Sequence, residues 1–220
     1  MIIGHIAVGL ASKRLAPEVS LGTLIGAPLL LDLIWPIFLL LGIETVRIEP
    51  GATQVTPLDL HDYPYTHSLV AALAWSVFAG GIHHTFKKDR TAALVIAASV
   101  FSHWVLDFVT HRPDMPLYPF STKYVGLGLW YSRVGTLAVE VPMFAAGAFL
   151  YARITKANDK IGRWAYVALV SFLLVVYFAN MYGPPPPSAN AIAWSALLLW
   201  LLVPWGRWID AHRTSQRSIS

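Results

Sequence analysis

Cysteine is absent from the 220 residues. The chain therefore has no disulfides and no thiolate metal sites, so any metal it holds is bound by imidazole and carboxylate. Charge is scarce as well: Asp, Glu, Lys and Arg make up 13% of the residues against 56% hydrophobic, where a soluble domain carries about a quarter charged. That balance excludes an ordinary soluble domain and makes lipid the expected solvent. The net charge is only +4, and no basic stripe is present. Lys and Arg fall at the ends of apolar runs, which suits anionic headgroups and speaks against nucleic acid as a partner. The apolar stretch 1–11 is short and is followed, not preceded, by Lys13 and Arg14. It lacks the form of a cleavable signal peptide and is expected to be retained.

Long apolar runs are what the sequence has in quantity. Crossing roughly 30 Å of hydrocarbon takes about 20 residues, and runs of that size fall at 21–43, 65–86, 92–110, 134–154, 164–182 and 189–208. They predict an all-α integral membrane protein with six transmembrane helices. Ahead of them, 2–15 reads as a half-length apolar helix, partly inserted. The charges between runs alternate. Lys13 and Arg14 are followed by an acidic loop with Glu44, Glu49, Asp59 and Asp62, then by Lys87, Lys88 and Arg90. Arg153, Lys156, Lys160 and Arg163 crowd a later loop, the polyproline turn is uncharged, and Arg207, Arg213 and Arg217 close the chain. By the positive-inside rule the basic loops and the C-terminus are cytoplasmic, and the acidic loop faces outward. With no internal repeat and only a stiff turn at Pro184–Pro187, one domain over 1–220 is the simplest organisation.

Ionisable groups inside membrane spans cost several kcal/mol and ask for a partner or a purpose. Asp32, His67, His103, Asp107 and Glu140 all lie in the apolar runs. His103, Asp107 and His111 are spaced i, i+4, i+8, which puts them on one helix face if the helix continues to Arg112 before Pro113 ends it. Such a face presents nitrogen and oxygen ligands to one ion. At about 1.5 Å per residue from the cytoplasmic charges, Asp32, His103 and Glu140 come to one height, roughly 18–20 Å. Asp107, His67 and His5 fall close enough to border the same cavity, which predicts a metal site between helices in the outer half of the membrane. A divalent ion held there with one open position activates water for hydrolysis, and a second ion would clamp a phosphoryl oxygen. His61 and Asp62, in the outer loop, are either a solvated polar loop or further ligands. His83 and His84 beside Lys87, and His212 in the tail, read as interfacial or surface groups.

The strings GHIAVGL, APLLLDLIWP, HDYPYTHSLV and SHWVLDFVTHRPDMPLYPF resemble, in order and spacing, the bacterial LexA-regulated, membrane-bound, metal-dependent hydrolases. The resemblance covers about residues 1–125, with the helices of 134–208 additional to it. That family is in turn similar to zinc-dependent phospholipases C. The resemblance implies a bacterial inner-membrane hydrolase using one or two divalent ions, zinc by preference. It makes His5, Asp32, His67, His103 and Asp107 the metal ligands, with Asp107 a candidate bridge and Asp107, His67 and Asp32 the expected catalytic residues. His111, Glu140, His61 and Asp62 form a second group of candidates. Two departures stand out. Thr136 occupies the position four before Glu140 where the phospholipases have His, and Leu31 and Leu33 flank Asp32 where a second acid is usual. The expected substrate is a phosphoester of a lipid or lipid-linked molecule. The competing expectations are an ion- or proton-coupled transporter, against which the lack of matching halves counts, and a non-catalytic metal-stabilised scaffold.

Overall fold

Serine and aspartate open the long helices. In the computed structural model, which describes residues 1–216, Ser68, Asp89, Ser132, Asp159 and Ser188 each lie in extended backbone and accept a hydrogen bond from the amide three residues on. Each cap satisfies an orphan amide of a first turn, worth about 1 kcal/mol apiece.

In chain order the helices are α1 (Ile2–Ser12), α2 (Leu21–Gly26), α3 (Leu30–Leu40), α4 (Pro64–His67), α5 (Leu69–Lys87), α6 (Arg90–Thr110), α7 (Arg133–Ile154), α8 (Lys160–Tyr182), α9 (Ala189–Leu197) and α10 (Leu202–Ala211). Three small antiparallel ribbons accompany them. They pair β1 (Thr45–Ile48) with β2 (Leu58–Asp62), β3 (Met115–Pro116) with β4 (Tyr124–Val125), and β5 (Thr155–Ala157) with β6 (Arg213–Ser215).

Five helical stretches are long and apolar enough to cross a membrane: α5, α6, α7, α8 and the run Ala189–Ala211 that joins α9 to α10. Their outward side chains are apolar, with Val77, Phe86, Leu94, Val134 and Val175 all exposed, whereas His103, Asp107 and Glu140 are turned inward. That is the distribution expected when lipid replaces water around the bundle.

The first of the six expected spans, 21–43, is not one continuous helix. Ser20 caps α2, and Pro28, which carries no amide hydrogen, interrupts the helical ladder just after Ala27, whose amide still bonds the Thr23 carbonyl. The chain turns at 27–29 and starts again as α3. Its 11 residues reach about 16 Å, too short to cross alone. The N-terminal helix is a short apolar helix, as expected, and it lies inside the bundle. It is buried on nearly every face, at Ile3, His5, Ile6, Ala7, Gly9, Leu10 and Ser12, and packs against α2, α6, α7 and α8. Gly147 permits this, because a Cβ there would come within 2.6 Å of the Ala7 carbonyl oxygen. Close backbone approach through small residues is how helices associate without a hydrophobic driving force.

α1 runs antiparallel to α6: His5 meets Asp107 at one end, and the Ser12 and Ser99 hydroxyls lie 3.1 Å apart nearer the other. Beyond Ser12, Lys13 bonds Asp210 near the end of α10, and β5 with β6 ties the end of α7 to the segment after α10. The basic segments around 13, 153–163 and 207–213 therefore gather at one end of the bundle. Arg217 lies outside the described residues. The hairpin β1–β2 and the β3–β4 ribbon cover the opposite end, where the titratable side chains collect.

Candidate metal centre

Asp107 is the hub. One turn earlier on α6, His103 Nε2 lies 2.9 Å from Asp107 Oδ2, while His5 Nε2 approaches the other oxygen, Oδ1, at 3.0 Å from α1. The His5 and His103 rings stack with centroids 3.9 Å apart. The Met1 amino group is 3.2 Å from Asp107 Oδ1. From α4, His67 places Nε2 3.2 Å from His103 Nε2, 3.5 Å from Asp32 Oδ1 and 4.0 Å from Asp107 Oδ2. Asp32 Oδ1 is 3.8 Å from His103 Nε2. The five expected ligands are thus brought together. All but Asp32 are buried, and the Asp32 side chain, 20% exposed, is where the cluster meets its surroundings.

The break in the first apolar run serves this site twice. It frees the Pro28 carbonyl, which accepts a hydrogen bond from His103 Nδ1 at 2.7 Å, and it begins the helix that presents Asp32. Irregular backbone at membrane depth is tolerated where protein groups re-satisfy it. The second apolar run is broken as well. Ser68 is extended, so His67 sits on the one-turn α4 and not on the spanning α5.

His111 is likewise off its expected helix. α6 ends at Thr110 and His111 is extended, because Pro113 follows two residues later and disfavours helix at Arg112. Continuous i, i+4, i+8 geometry is therefore replaced by a turn, yet His111 Nε2 still comes within 3.8 Å of Asp107 Oδ2.

Hydrogen-bond partners outside the cluster fix which ring nitrogen of three histidines faces in. His103 Nδ1 faces a carbonyl, which can only accept, so Nδ1 carries the hydrogen. His111 Nδ1 lies 3.2 Å from Asp114 Oδ1, which also accepts the Tyr63 hydroxyl at 3.2 Å, and Asp114 Oδ2 accepts Arg112 Nε at 3.3 Å. Burial, with Asp114 and Asp107 nearby, pushes the Tyr63 phenol well above its ordinary pKa, so it remains a donor. His67 Nδ1 is 2.7 Å from Thr66 Oγ1, whose own hydrogen goes to Glu44 Oε2 at 2.7 Å. His67, His103 and His111 therefore all turn Nε2 toward Asp107, with Nδ1 directed to a partner outside the cluster. This outward tether on the far nitrogen is how metal-bound histidines are oriented. His5 differs, because its Nδ1 is buried without a partner.

A cation fits these donors. Tetrahedral zinc with ligands at about 2.0–2.1 Å sets its ligand atoms about 3.3 Å apart, close to the 3.2, 3.5 and 3.8 Å separations among His67, His103 and Asp32. His5, His103 and Asp107 make a second group within 4.8 Å, sharing His103 with the first.

Around this core, Arg112 joins Asp59, Glu49 and Asp114, and although partial burial works against it, Asp59 and Asp114 raise its pKa. It pins the β1–β2 hairpin over the end of α6. His61 lies 3.2 Å from Asp59, and Asp62 accepts the Thr45 hydroxyl, so the partners of both are within the hairpin. Glu140 is buried on α7, its Oε2 is without a hydrogen-bond partner, and it interacts electrostatically with the Met1 amino group and Asp107. Thr136 instead bonds the carbonyls of Leu129 and Ser132. His212 pairs with Asp159 near the opposite end of the bundle.

Sequence reasoning does not single out Pro28, Glu44, Thr66, Tyr63 or Asp114 as part of the site. Pro28 carries a usable signal, a helix breaker four residues before the buried acid. Glu44 carries none, being one charge among several in an acidic loop, yet it is 1% exposed. Burial pushes its carboxyl above the usual value, against hydrogen bonds from Thr66 and Tyr65 that pull it down.

Residues 1–183 match the model of the YdjM inner membrane protein family, and the chain belongs to that family. This agrees with a bacterial membrane protein of the LexA-regulated kind that the motif order resembles, and with integral membrane localisation. No curated protein and no solved structure matches the chain.

Proposed function

We propose that this member of the YdjM inner membrane protein family is a metal-dependent hydrolase acting on a phosphoester of a lipid or lipid-linked molecule. The observation that carries the proposal is the tautomer pattern: three imidazoles are tethered outward by Nδ1 and present Nε2, beside two carboxylates, to one buried space. Asp32 and Asp107 Oδ2 face these Nε2 atoms at 2.9–4.0 Å, an arrangement that a cation would satisfy, while the Met1 amino group meets the other oxygen of Asp107. His67, His103 and Asp32 would hold one divalent ion, zinc by preference. Asp107 would bridge toward a second, with His5, His111 and Glu140 on that side. A bound ion would supply Lewis-acid stabilisation of a phosphoryl oxygen and an activated water.

The residues themselves do the rest. Asp32, at the mouth, faces the incoming group. Tyr63 and Asp114 hold His111, and Arg112 keeps the hairpin closed over the centre. An apolar groove of about 670 Å³, lined by Phe38, Ile43, Tyr65, Ala71, Ala74, Trp75 and Pro119, begins at Tyr65, two residues from His67. It offers acyl or prenyl chains a course alongside the centre while a phosphate approaches Asp32, and this supports a lipid substrate over a soluble one. The alternating loop charges support a centre that faces the outer side of the membrane.

The test is metal content and turnover of purified protein on phosphomonoester and phosphodiester lipids, in wild type and Asp107→Asn. Bound zinc with product in wild type, and loss of both in the variant, is the expected result. Metal-free wild type overturns the proposal, as does ion flux in liposomes without product.

A further inference from the structure

His67 occupies an unusual element for a ligand. α4 has four residues, too few to hold helical form by their own hydrogen bonds, and Ser68 breaks it from α5. What secures it is a carboxylate from far along the chain. Glu44 Oε1 accepts the amides of Tyr65 at 2.8 Å and Thr66 at 2.9 Å, which are among the orphan donors of the first turn. Glu44 Oε2 accepts the Thr66 hydroxyl at 2.7 Å, and that hydroxyl oxygen lies 2.7 Å from His67 Nδ1. Glu44, Thr66 and His67 are all buried.

We infer that Glu44, acting through the Thr66 hydroxyl, is a positioning residue that sets the His67 tautomer and aims His67 Nε2 at the cluster. A hydroxyl has one hydrogen. With that hydrogen given to Glu44, Thr66 Oγ1 faces His67 as an acceptor, so Nδ1 donates and Nε2 is left with its lone pair toward Asp32 and His103. Glu44 thus does for His67 what the Pro28 carbonyl does for His103 and Asp114 does for His111, with one hydroxyl interposed. The inference rests on the metal-centre reading given above.

Thr66→Val removes the relay while leaving Glu44 bonded to the two amides, so α4 keeps its anchor. Thr66→Ser restores the hydroxyl, and Glu44→Gln keeps volume while weakening the acceptor. Two readouts apply in detergent-solubilised protein. One is the ¹⁵N spectrum of the histidine rings before zinc is added, with His67 assigned by loss of its signals in His67→Gln. The other is zinc affinity by competition with a chelator. Wild type is expected to show His67 as the Nδ1–H tautomer. Thr66→Val should populate the other tautomer and bind zinc about 10–100-fold more weakly, Thr66→Ser should return close to wild type, and Glu44→Gln should lie between. Wild type that binds zinc but shows the Nε2–H tautomer overturns this inference alone. So does a Thr66→Val protein with unchanged affinity, or, should that variant not fold, a Glu44→Gln protein with unchanged affinity and tautomer. Wild type that binds no zinc overturns the metal centre itself, whatever the tautomer.

Discussion

The two ends of α1 both gather charge, and they do it in opposite ways. Past Ser12, Lys13 Nζ donates to Asp210 Oδ2 at 2.7 Å and to the Val19 carbonyl at 2.9 Å, while Tyr151 donates to Asp210 Oδ1 and the Leu21 amide to Oδ2. Donors and acceptors there are matched within the chain, so the cluster is closed and holds helices together. At the His5 end, the Met1 amino group and His5 meet Asp107 Oδ1, while Asp107 Oδ2 and Asp32 face the Nε2 atoms of imidazoles tethered outward by Nδ1. A structural ion pair satisfies itself, whereas a ligand site keeps carboxylate oxygens turned toward ring nitrogens.

The largest effect that would sharpen this contrast is at the closed end. Lys13→Met leaves the part-buried Asp210 without its cation and is expected to cost about 3 kcal/mol, and a double variant Lys13→Met with Asp210→Leu should recover most of it. Thermal or denaturant unfolding in detergent reads both; equal stability of single and double variants would break the comparison. Next comes metal removal. Zinc at 100 to 1,000 times its Kd should stabilise wild type by about 2.7–4.1 kcal/mol, reversed by chelation. Lys13→Met should keep that increment and Asp107→Asn should lose it. An increment retained in Asp107→Asn would locate the ion elsewhere.

The smallest effect tests the link between the ends. Gly147→Ala sets a methyl against the Ala7 backbone and should cost about 1–3 kcal/mol as α1 shifts. Because α1 carries His5 and leads into Lys13, unfolding stability and zinc affinity should fall together. Unchanged affinity would show that His5 contributes little to binding.

Much of the site is legible in the amino-acid sequence. A buried acid or imidazole in an apolar run is costly wherever the run packs, so Asp32, His67, His103 and Asp107 stand out, and the motif order adds His5. The partners on the far side of each ring are not legible there. Glu44 and Thr66 are 22 residues apart, Tyr63 and Asp114 are 51 apart, and Pro28 and His103 are 75 apart. No periodicity encodes such pairings. His111 shows the same limit from another direction, since it reaches Asp107 by a turn and not by the helical spacing that suggests it.

Composition and hydropathy alone dictated a helical membrane protein, because a chain so poor in charge and rich in apolar runs has to satisfy its backbone within helices once in lipid. They also dictated imidazole and carboxylate as the only metal-binding chemistry. Packing decided that the carbonyl freed at Pro28 meets His103, that α1 lies enclosed in the bundle, and which nitrogen of each ring faces inward. Those outcomes depend on hydrogen bonds between segments distant in sequence, and such bonds have geometry only after the helices have come together.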